Sequence, residues 1–517
     1  MKKLRLLFVL LWVTSNLFSS PVTGLLERID KGASSKFIIE RQKSGTDFFE
    51  LDQKGDKVII RGNDYVNIAT GLNWYLKYYA GIHLSWNGMT AKLPAVLPPV
   101  TKKERHETDL PYRYDLNYCT FSYSMAFWDW ERWEKEIDWM ALHGINLSLA
   151  LTGTESVWRN VLLKLGYTKD EINEFVAGPG FTAWWLMNNL EGWGGPNPES
   201  WYIRQEKLQK KIVKRMREYG IEPVLPGYCG MVPHNAKEKL GLNVADPGFW
   251  CSYHRPAFLQ PEDERFEEIS ALYYKELTKL YGKTGFYAID PFHEGGSTQG
   301  VNLDAAGKAI MKAMKKTNPD AVWVAQAWQD NPRTSMIEHL EAGDLLVLDL
   351  HSECRPQWGD PASEWCRKGG YGQHGWVYCM LLNFGGNIGL HGKMDALING
   401  FYDAKTDNHA GKTLCGVGMT PEGIENNPVM YELVMELPWR EHRFTRDEWL
   451  KGYVYARYGV EDEALQQAWD LLGNGIYNSP KEKIQQGTHE SVFCARPGLD
   501  VYPVSYTHLR AHETLAN

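Results

Sequence analysis

The chain has 517 residues, of which 43% are hydrophobic and 23% charged, so it can bury a large core divided among two or three domains. Its net charge of -8 and pI near 6.0 argue against nucleic-acid binding, because the sequence contains no basic stripe. Aromatic residues make up 13% of the chain, and we expect most of them in the interior. The composition is that of a globular protein.

Residues 1–22 begin with MKKLRLLFVLLWV, a basic segment followed by an apolar run that is too short to span a bilayer. Small polar residues follow around Ser19 and Ser20. This pattern predicts a secretory signal of the bacterial type, and therefore a periplasmic or secreted protein. A buried first helix is the alternative interpretation. No later stretch is long enough to predict a membrane span.

Residues 23–107 predict a small α+β domain. The stretch FFELDQKGDKVIIRG alternates between apolar and polar residues, and NDYVNIATGLNWYLKYYAG has apolar positions at helical spacing. The segment KLPAVLPPV at 92–100 predicts a linker into the next unit, because its prolines interrupt regular structure.

Residues 108–440 alternate between strand-like and helix-like segments. Eight near-continuous apolar strands separated by amphipathic helices predict a (β/α)8 TIM barrel, in which both strand faces are covered. A doubly wound open sheet is the alternative, but it would require a Gly-rich phosphate loop after the first strand, where the chain has NYCTFSYS. The predicted strands are 112–119, 145–151, 222–228, 285–292, 321–328, 345–351, 376–384 and 413–419.

The last part of the chain predicts two different segments. Residues 441–503 begin with EHRFTRDEWLKGYVYARYG and predict the truncated start of an all-helical domain, whose apolar positions need later helices as partners. Residues 504–517 contain VSYTHLRAHET, which resembles the translation of a common sequencing adapter. We therefore expect a non-native tail and a natural protein that continues past residue 503. A genuine divergent tail is the alternative.

Two glutamates follow predicted strands and carry the functional prediction. Glu294 lies in GFYAIDPFHEG and Glu422 in LCGVGMTPEG. In a TIM barrel, functional groups lie on the loops after the carboxyl ends of the strands. Hydrolysis of a glycosidic bond needs one carboxyl to protonate the leaving oxygen and a second carboxylate to meet the oxocarbenium-like centre. The pair predicts a glycoside hydrolase.

Other polar residues allow more than one interpretation. Asp290 could pair with Glu294, although orienting a neighbour or capping a turn is the preferred role. Cys119 could contact a substrate or belong to the barrel core, and Asn387 and His391 could shape a loop or contact a sugar. The eight cysteines show no CxxC pair and no zinc-like spacing, so the sequence predicts no metal site and no cofactor.

Several blocks of the chain resemble the α-N-acetylglucosaminidases of glycoside hydrolase family 89. The likeness covers about residues 50–475 and is densest in the predicted barrel. The blocks that carry it are FWDWERWEKEIDWMALHGINLSLAL, GPGFTAWWLMNNL, EPVLPGY, LLVLDL, CMLLNFGGNIGLHG and GMTPEGIENNPVMYELVMELPWR. Members of that family resemble the organisation predicted here, because they have a small N-terminal domain, a (β/α)8 barrel and a helical C-terminal domain.

The resemblance implies a role for individual residues. Glu294 would be the general acid/base and Glu422 the nucleophile of a retaining exo-glycosidase that releases terminal α-linked N-acetylglucosamine (GlcNAc) from heparan-derived or mucin-type glycans. His293 stands before the acid where relatives carry Asn, which affects an expected contact to the 2-substituent of the sugar. The residues expected to line the sugar subsite are Asn117, Cys119, Trp184, Trp250, His293, Trp328 and Asn383.

The chemistry implied by the resemblance sets expectations for the pair of carboxyls. The acetamido group of an α-linked GlcNAc cannot attack C1 from the back, so the protein must supply the nucleophile, with the carboxyls about 5–5.5 Å apart. We expect a raised pKa for Glu294 and an ionised Glu422. The alternatives are a β-hexosaminidase acting by substrate assistance and a carbohydrate-binding pseudoenzyme. The oligomeric state is left open.

Overall fold

The computed structural model describes residues 20–387 and 389–479. Most of the predicted secretory signal (1–19) and the predicted non-native tail (504–517) therefore lie outside the described residues. The first domain contains, in chain order, α1 (Pro21–Ile29), β1 (Phe37–Arg41), β2 (Asp47–Lys54), β3 (Lys57–Gly62), α2 (Tyr65–Tyr78) and β4 (Glu104–Thr108).

The four strands of this domain form one sheet in the order β1-β3-β2-β4, with α2 packed against it. The alternating stretch predicted from the sequence forms the β2–β3 hairpin, and the predicted helical stretch forms α2. Helix α1 begins at Pro21, capped by the Ser20 hydroxyl, and buries Val22 completely. The folded domain thus includes residues 21 and 22, which the sequence assigned to the secretory signal.

Eight parallel strands close into a barrel, which confirms the predicted fold class. The strands of this region are β5 (Tyr112–Asp115), β6 (Leu147–Leu149), β7 (Glu222–Pro226), β8 (Met231–Val232), β9 (Val244–Ala245), β10 (Phe249–Trp250), β11 (Tyr253–His254), β12 (Ala257–Leu259), β13 (Phe286–Ala288), β14 (Val322–Ala327), β15 (Leu345–Asp349), β16 (Gly375–Met380) and β17 (Leu414–Met419). Around the barrel the order is β5-β6-β7-β13-β14-β15-β16-β17, and β17 pairs back to β5.

Helices surround the barrel, and two more follow it. They are α3 (Tyr118–Tyr123), α4 (Trp130–Leu142), α5 (Thr154–Lys164), α6 (Lys169–Phe175), α7 (Thr182–Leu186), α8 (Glu199–Tyr219), α9 (Ala236–Leu240), α10 (Arg265–Tyr281), α11 (Leu303–Thr317), α12 (Thr334–Ile337), α13 (Met394–Thr406), α14 (Pro428–Glu436), α15 (Arg446–Tyr458) and α16 (Glu463–Asn474). Helices α15 and α16 pack together and form the start of the predicted helical domain.

Most barrel strands end earlier than the sequence predicts. Asn117 caps α3 and Cys119 lies in its first turn, so neither residue belongs to the first strand. Asn383 lies three residues beyond β16. The residues directly after most of these strands are as deeply buried as the strands themselves, and this burial rather than strand geometry produced the apolar pattern. The β7–α10 connection also carries a small sheet, β8-β12-β9, and the β10–β11 hairpin.

A buried ionic network joins the first domain, the barrel and the C-terminal helices. Lys77 of α2 pairs with Glu436 and, at 3.3 Å, with Glu432 of α14. Glu436 also accepts hydrogen bonds from Arg440 at 2.8 Å and from the indole of Trp449 on α15 at 2.9 Å. Although burial opposes it, the charges of Lys77 and Arg440 lower the pKa of Glu436 to about 2. One carboxylate therefore anchors three parts of the fold.

We expect Glu436→Ala to lower the free energy of unfolding by about 3–5 kcal/mol, because it leaves Lys77 buried without its main counter-charge. Urea denaturation followed by tryptophan fluorescence measures this loss. Glu131→Ala is the control, since Glu131 pairs with Lys135 on the exposed face of α4 and such pairs contribute less than about 1 kcal/mol. Equal effects of the two substitutions would contradict the anchoring role.

Candidate active site

The loops after the barrel strands contain an unusual number of strained residues. Leu116, Phe292, Glu294, Gln329 and Leu382 all have positive φ, and they follow β5, β13, β14 and β16 at the carboxyl ends of the strands. Such conformations are costly for residues other than glycine and persist only where the surroundings enforce them. Their concentration at one rim marks the place where the fold positions functional groups.

Glu294 receives hydrogen bonds from three different loops. The indole of Trp250 donates to Oε2 at 2.7 Å, the Asn189 amide donates to Oε2 at 3.1 Å, and the indole of Trp328 donates to Oε1 at 3.2 Å. The φ of Glu294 is 49°, so its backbone is held in the left-handed region. These donors fix the carboxyl in one orientation.

Arg255 holds the backbone beneath Glu294. This side chain is almost completely buried, and its guanidinium donates to the carbonyl oxygens of His293 at 2.8 Å, Glu294 at 2.7 Å and Asn188 at 3.2 Å. The fork of guanidinium donors suits several carbonyls at once. Arg255 therefore stabilises the strained turn that presents Glu294.

Glu422 follows β17 and is held by fewer donors. Its carboxylate accepts a hydrogen bond from the backbone N–H of Gly385, which has φ 60° and so adopts a conformation that glycine allows without strain. The loop before it is fixed from α3, because the Asn117 amide donates to the Thr420 carbonyl at 3.1 Å and the Thr120 hydroxyl donates to the Pro421 carbonyl. Asn117 thus positions the loop that carries Glu422.

The two carboxyls interact electrostatically. Burial, and then the charge of Glu294, raises the pKa of Glu422 to about 8, although the Gly385 N–H opposes this shift. This direction is opposite to our expectation of an ionised Glu422 in the free protein. The physical reason is that a single backbone donor, the Gly385 N–H, does not offset the cost of removing the Glu422 charge from water. The ligand-free pair therefore keeps a proton near neutral pH.

Cys119 lies close to both carboxyls. Its thiol is buried, and the charges of Glu422 and Glu294 add to burial in raising its pKa. The structure thus brings Glu294, Glu422 and Cys119 together from loops that are far apart in the sequence. The aromatic residues predicted to line this cleft also lie around it. Trp250 and Trp328 donate hydrogen bonds to Glu294, and the ring of Trp184 is stacked 6.2 Å from that of Trp250.

Two other predicted residues are buried beside the cleft. Asn383 donates to the Asn426 side chain at 2.8 Å, and this bond links the loops after β16 and β17. His293 is 4% exposed, and neither of its ring nitrogens has a hydrogen-bond partner. Burial lowers the pKa of His293 to about 4, so the ring is neutral at physiological pH. Contacts of either residue with a sugar stay predictions.

Asp290 has a partner within the barrel. It accepts a hydrogen bond from the backbone N–H of Gln326 at 2.7 Å, and burial raises its pKa to about 7. This contact joins the β13 loop to β14, which suits the orienting role preferred from the sequence. Asn387 donates to the Phe384 carbonyl, and the His391 backbone N–H donates to Asn427, so both residues shape the loop after β16.

Three residues of the site were missed by the sequence analysis. Asn189 lies in the block GPGFTAWWLMNNL, five residues after Trp184, but no sequence pattern marks it as a hydrogen-bond donor to Glu294. No sequence pattern indicated Arg255 either. Tyr123 packs edge-on against Trp184 at 5.2 Å, and Glu422 adds to burial in raising its pKa. Its position at the end of α3 was not predicted, because the first strand was extended to residue 119, into the first turn of α3.

Within residues 20–387 and 389–479, no group of three or more His, Cys, Asp and Glu side chains could hold a metal ion. Over the same residues, no helix combines the length and the apolar character that crossing a membrane requires.

Comparisons with known proteins agree with this geometry. Three domain models of alpha-N-acetylglucosaminidase (NAGLU) match the chain: the N-terminal domain at residues 20–99, the TIM-barrel domain at 113–441 and the C-terminal domain at 449–515. The chain belongs to the α-N-acetylglucosaminidase family. The third match extends into residues 504–515, which we predicted to be non-native.

Two relatives illustrate this membership. Human alpha-N-acetylglucosaminidase is 39% identical over 477 residues, which cover 89% of this chain and 63% of the human protein. A family 89 glycoside hydrolase from Clostridium perfringens, solved with 2-acetamido-1,2-dideoxynojirmycin, is 34% identical with a TM-score of 0.85, covering 93% of this chain and 55% of that one. The chain thus spans less than two-thirds of the length of these α-N-acetylglucosaminidases.

The same bacterial enzyme was also solved in a form with two glutamates replaced by glutamine, in complex with its substrate GlcNAc-alpha-1,4-galactose, again with a TM-score of 0.85. A more distant structure, an exo-β-N-acetylglucosaminidase from Vibrio harveyi, is 12% identical with a TM-score of 0.51. That likeness concerns the fold alone.

Proposed function

We propose that the protein is a retaining exo-glycosidase that releases terminal α-linked GlcNAc from glycans. The observation that carries the proposal is the pair Glu294 and Glu422, held by loops from opposite parts of the barrel and close enough for one charge to shift the other's pKa. The family relationship supports the choice of α-linked GlcNAc, since a relative binds GlcNAc-alpha-1,4-galactose as its substrate.

In the first step, the Glu422 carboxylate attacks C1 of the sugar while the bond from C1 to the leaving oxygen breaks. The proton of Glu294 passes to that oxygen, and the sugar becomes bound to Glu422 as an ester. In the second step, a water attacks C1, Glu294 takes its proton, and the Glu422 carboxylate leaves. Two displacements give a product of retained configuration. Three N–H donors hold the Glu294 carboxyl in one orientation.

The proton stored in the free pair fits this mechanism. Both the ligand-free pair and the reactive pair hold one proton, but catalysis needs it on Glu294. Positive charge develops at the anomeric carbon in the transition state, and the Glu422 anion stabilises it. The form of the pair with its proton on Glu294 is therefore the one that reacts.

A pH profile tests this proton count. We expect kcat/KM to fall as the pH rises through about 8, because the free pair then loses the proton that the acid step requires. Initial rates on an aryl α-GlcNAc between pH 5 and 10 measure the profile, with circular dichroism at each pH to show that the fold is intact. A constant kcat/KM up to pH 10 would contradict the stored proton.

The activity itself is tested with paired aryl glycosides. The protein should release the aryl group from α-linked GlcNAc and leave the β-linked isomer intact. Release from the β-linked isomer would favour a β-hexosaminidase that uses the substrate's acetamido group, and binding without release would favour a pseudoenzyme. The α-linked case needs an enzymic nucleophile, because the acetamido oxygen cannot reach the back of C1.

We also propose that the protein acts on its glycan outside the cytoplasm, either in the periplasm or after secretion. The support is the basic and apolar pattern of residues 1–22, of which 1–19 lie outside the described residues. Fractionation of cells that express the full chain tests this, and retention of uncleaved protein in the cytoplasm would count against it.

A further inference from the structure

The rim that carries the carboxyls also carries most of the exposed aromatic residues. Among the described residues, five large aromatic side chains are exposed, and four of them lie on the loops after β5, β6 and β7: Tyr123, Phe127, Trp193 and Phe249. Exposed aromatic surface is costly in water and commonly marks a binding site. Single exposed aromatics need no explanation, but their concentration beside a catalytic cleft does.

Five rings form a continuous series that begins at Glu294. Trp250, which bonds Glu294, is stacked 6.2 Å from Trp184. The next ring-to-ring distances are 6.2 Å from Trp184 to Phe181, 6.0 Å from Phe181 to Trp193, and 4.8 Å from Trp193 to Tyr253. We call these five residues the aromatic ridge. Trp193 is its exposed member, 46% accessible to solvent, whereas Tyr253 is half-buried.

The β10–β11 hairpin connects both ends of the aromatic ridge. Trp250 and Tyr253 are directly opposed in its antiparallel register, so their side chains leave the same face of the hairpin. The two turn residues, Cys251 and Ser252, have positive φ, as tight hairpins require. The hairpin therefore donates a hydrogen bond to Glu294 through Trp250 and contacts Trp193 through Tyr253.

Trp193 is held in its exposed position by close backbone packing. Its carbonyl accepts a hydrogen bond from the Gly178 N–H at 2.8 Å. Gly194 has φ 73°, and a Cβ atom there would lie 2.5 Å from the Phe181 ring, so only glycine fits. A surface that is fixed before binding loses little entropy when a ligand lies on it. This arrangement is typical of a preorganised binding surface.

We propose that the aromatic ridge is an extended subsite that binds the uncharged sugar rings following the terminal GlcNAc. This inference rests on the proposed glycosidase function, because it assigns the ridge to the leaving-group side of the same cleft. The apolar C–H face of a pyranose ring packs on an aromatic ring, and Trp193 is the ridge ring whose exposure allows this contact. Among the described residues, no Lys or Arg stacks on Trp193, the exposed ring of the ridge, whereas Arg204 stacks on Trp201 elsewhere on the rim. The platform therefore suits neutral sugars better than sulfated ones.

The test compares two substrates and three variants. An aryl α-GlcNAc occupies only the position next to the scissile bond, whereas a neutral trisaccharide with terminal α-GlcNAc reaches along the ridge. We expect Trp193→Ala to lower kcat/KM on the trisaccharide about tenfold, the loss of one stacking contact, and to leave the aryl substrate unchanged. Trp193→Phe should keep most of the activity on the trisaccharide. Phe127→Ala is the matched control, because Phe127 is 77% exposed on the same rim but contacts no ridge ring.

The outcomes separate the two proposals. An unchanged kcat/KM of Trp193→Ala on the trisaccharide, or an equal loss on both substrates, overturns the extended subsite while leaving the glycosidase intact. An equal loss in Phe127→Ala also overturns it, since any rim aromatic would then serve. A wild-type protein that cleaves neither substrate refutes the proposed function, and the extended subsite with it.

Discussion

Replacing Glu294 or Glu422 by glutamine should lower the rate on α-linked GlcNAc by several orders of magnitude. Each substitution removes a group that acts in the transition state and preserves the shape of the side chain, so the loss should appear in kcat more than in binding. Glu425→Gln is the matched control, since Glu425 lies three residues after Glu422 but is exposed and pairs with Arg132 at 2.8 Å. It should keep nearly full activity.

Azide distinguishes the two roles. In the Glu294 variant the glycosyl-enzyme still forms, and azide attacks it without a general base to give the α-azide. In the Glu422 variant no ester forms, and azide enters directly from the opposite face to give the β-azide. NMR of the products identifies the anomer in each case. The reverse assignment of products would exchange the roles of the two glutamates.

Replacing Trp328 by alanine should affect both stability and activity. Trp328 is buried against Trp365 and Phe384, at ring distances of 4.8 and 5.6 Å, and it donates to Glu294. Truncation of a buried tryptophan costs about 3–5 kcal/mol of stability, and here it also removes a hydrogen-bond donor from Glu294, the proposed acid/base. The melting temperature and kcat/KM on an aryl α-GlcNAc should therefore both fall.

Trp184→Ala should differ from Trp328→Ala, because Trp184 is only half-buried and donates no hydrogen bond to Glu294 or Glu422. We expect its melting temperature to fall less than that of Trp328→Ala while KM rises. Trp328→Phe separates packing from hydrogen bonding, since phenylalanine fills most of the space but cannot donate to Glu294. Full activity in Trp328→Ala would place that side chain outside the catalytic cleft.

The sequence by itself determined the barrel and placed Glu294 and Glu422 at one rim of it. Apolar runs of strand length recur eight times between 112 and 419, and in a closed parallel barrel each such run needs cover on both faces. Glu294 and Glu422 could be found because a polar residue just past a buried strand falls at the functional rim. The resemblance of the surrounding motifs then supplied the roles that spacing alone could not.

Only the tertiary structure decided how the site is supported. Asn189 and Arg255 contact the Glu294 turn from loops about 105 and 39 residues away in the chain, and no local pattern marks either of them. The same holds for the pKa of Glu422, which burial and the charge of Glu294 raise although the sequence predicted an anion. Local sequence fixes strands through the period of apolar residues. Desolvation, charge coupling and hydrogen-bond donors depend on which loops meet in space, and that is settled only when the barrel closes.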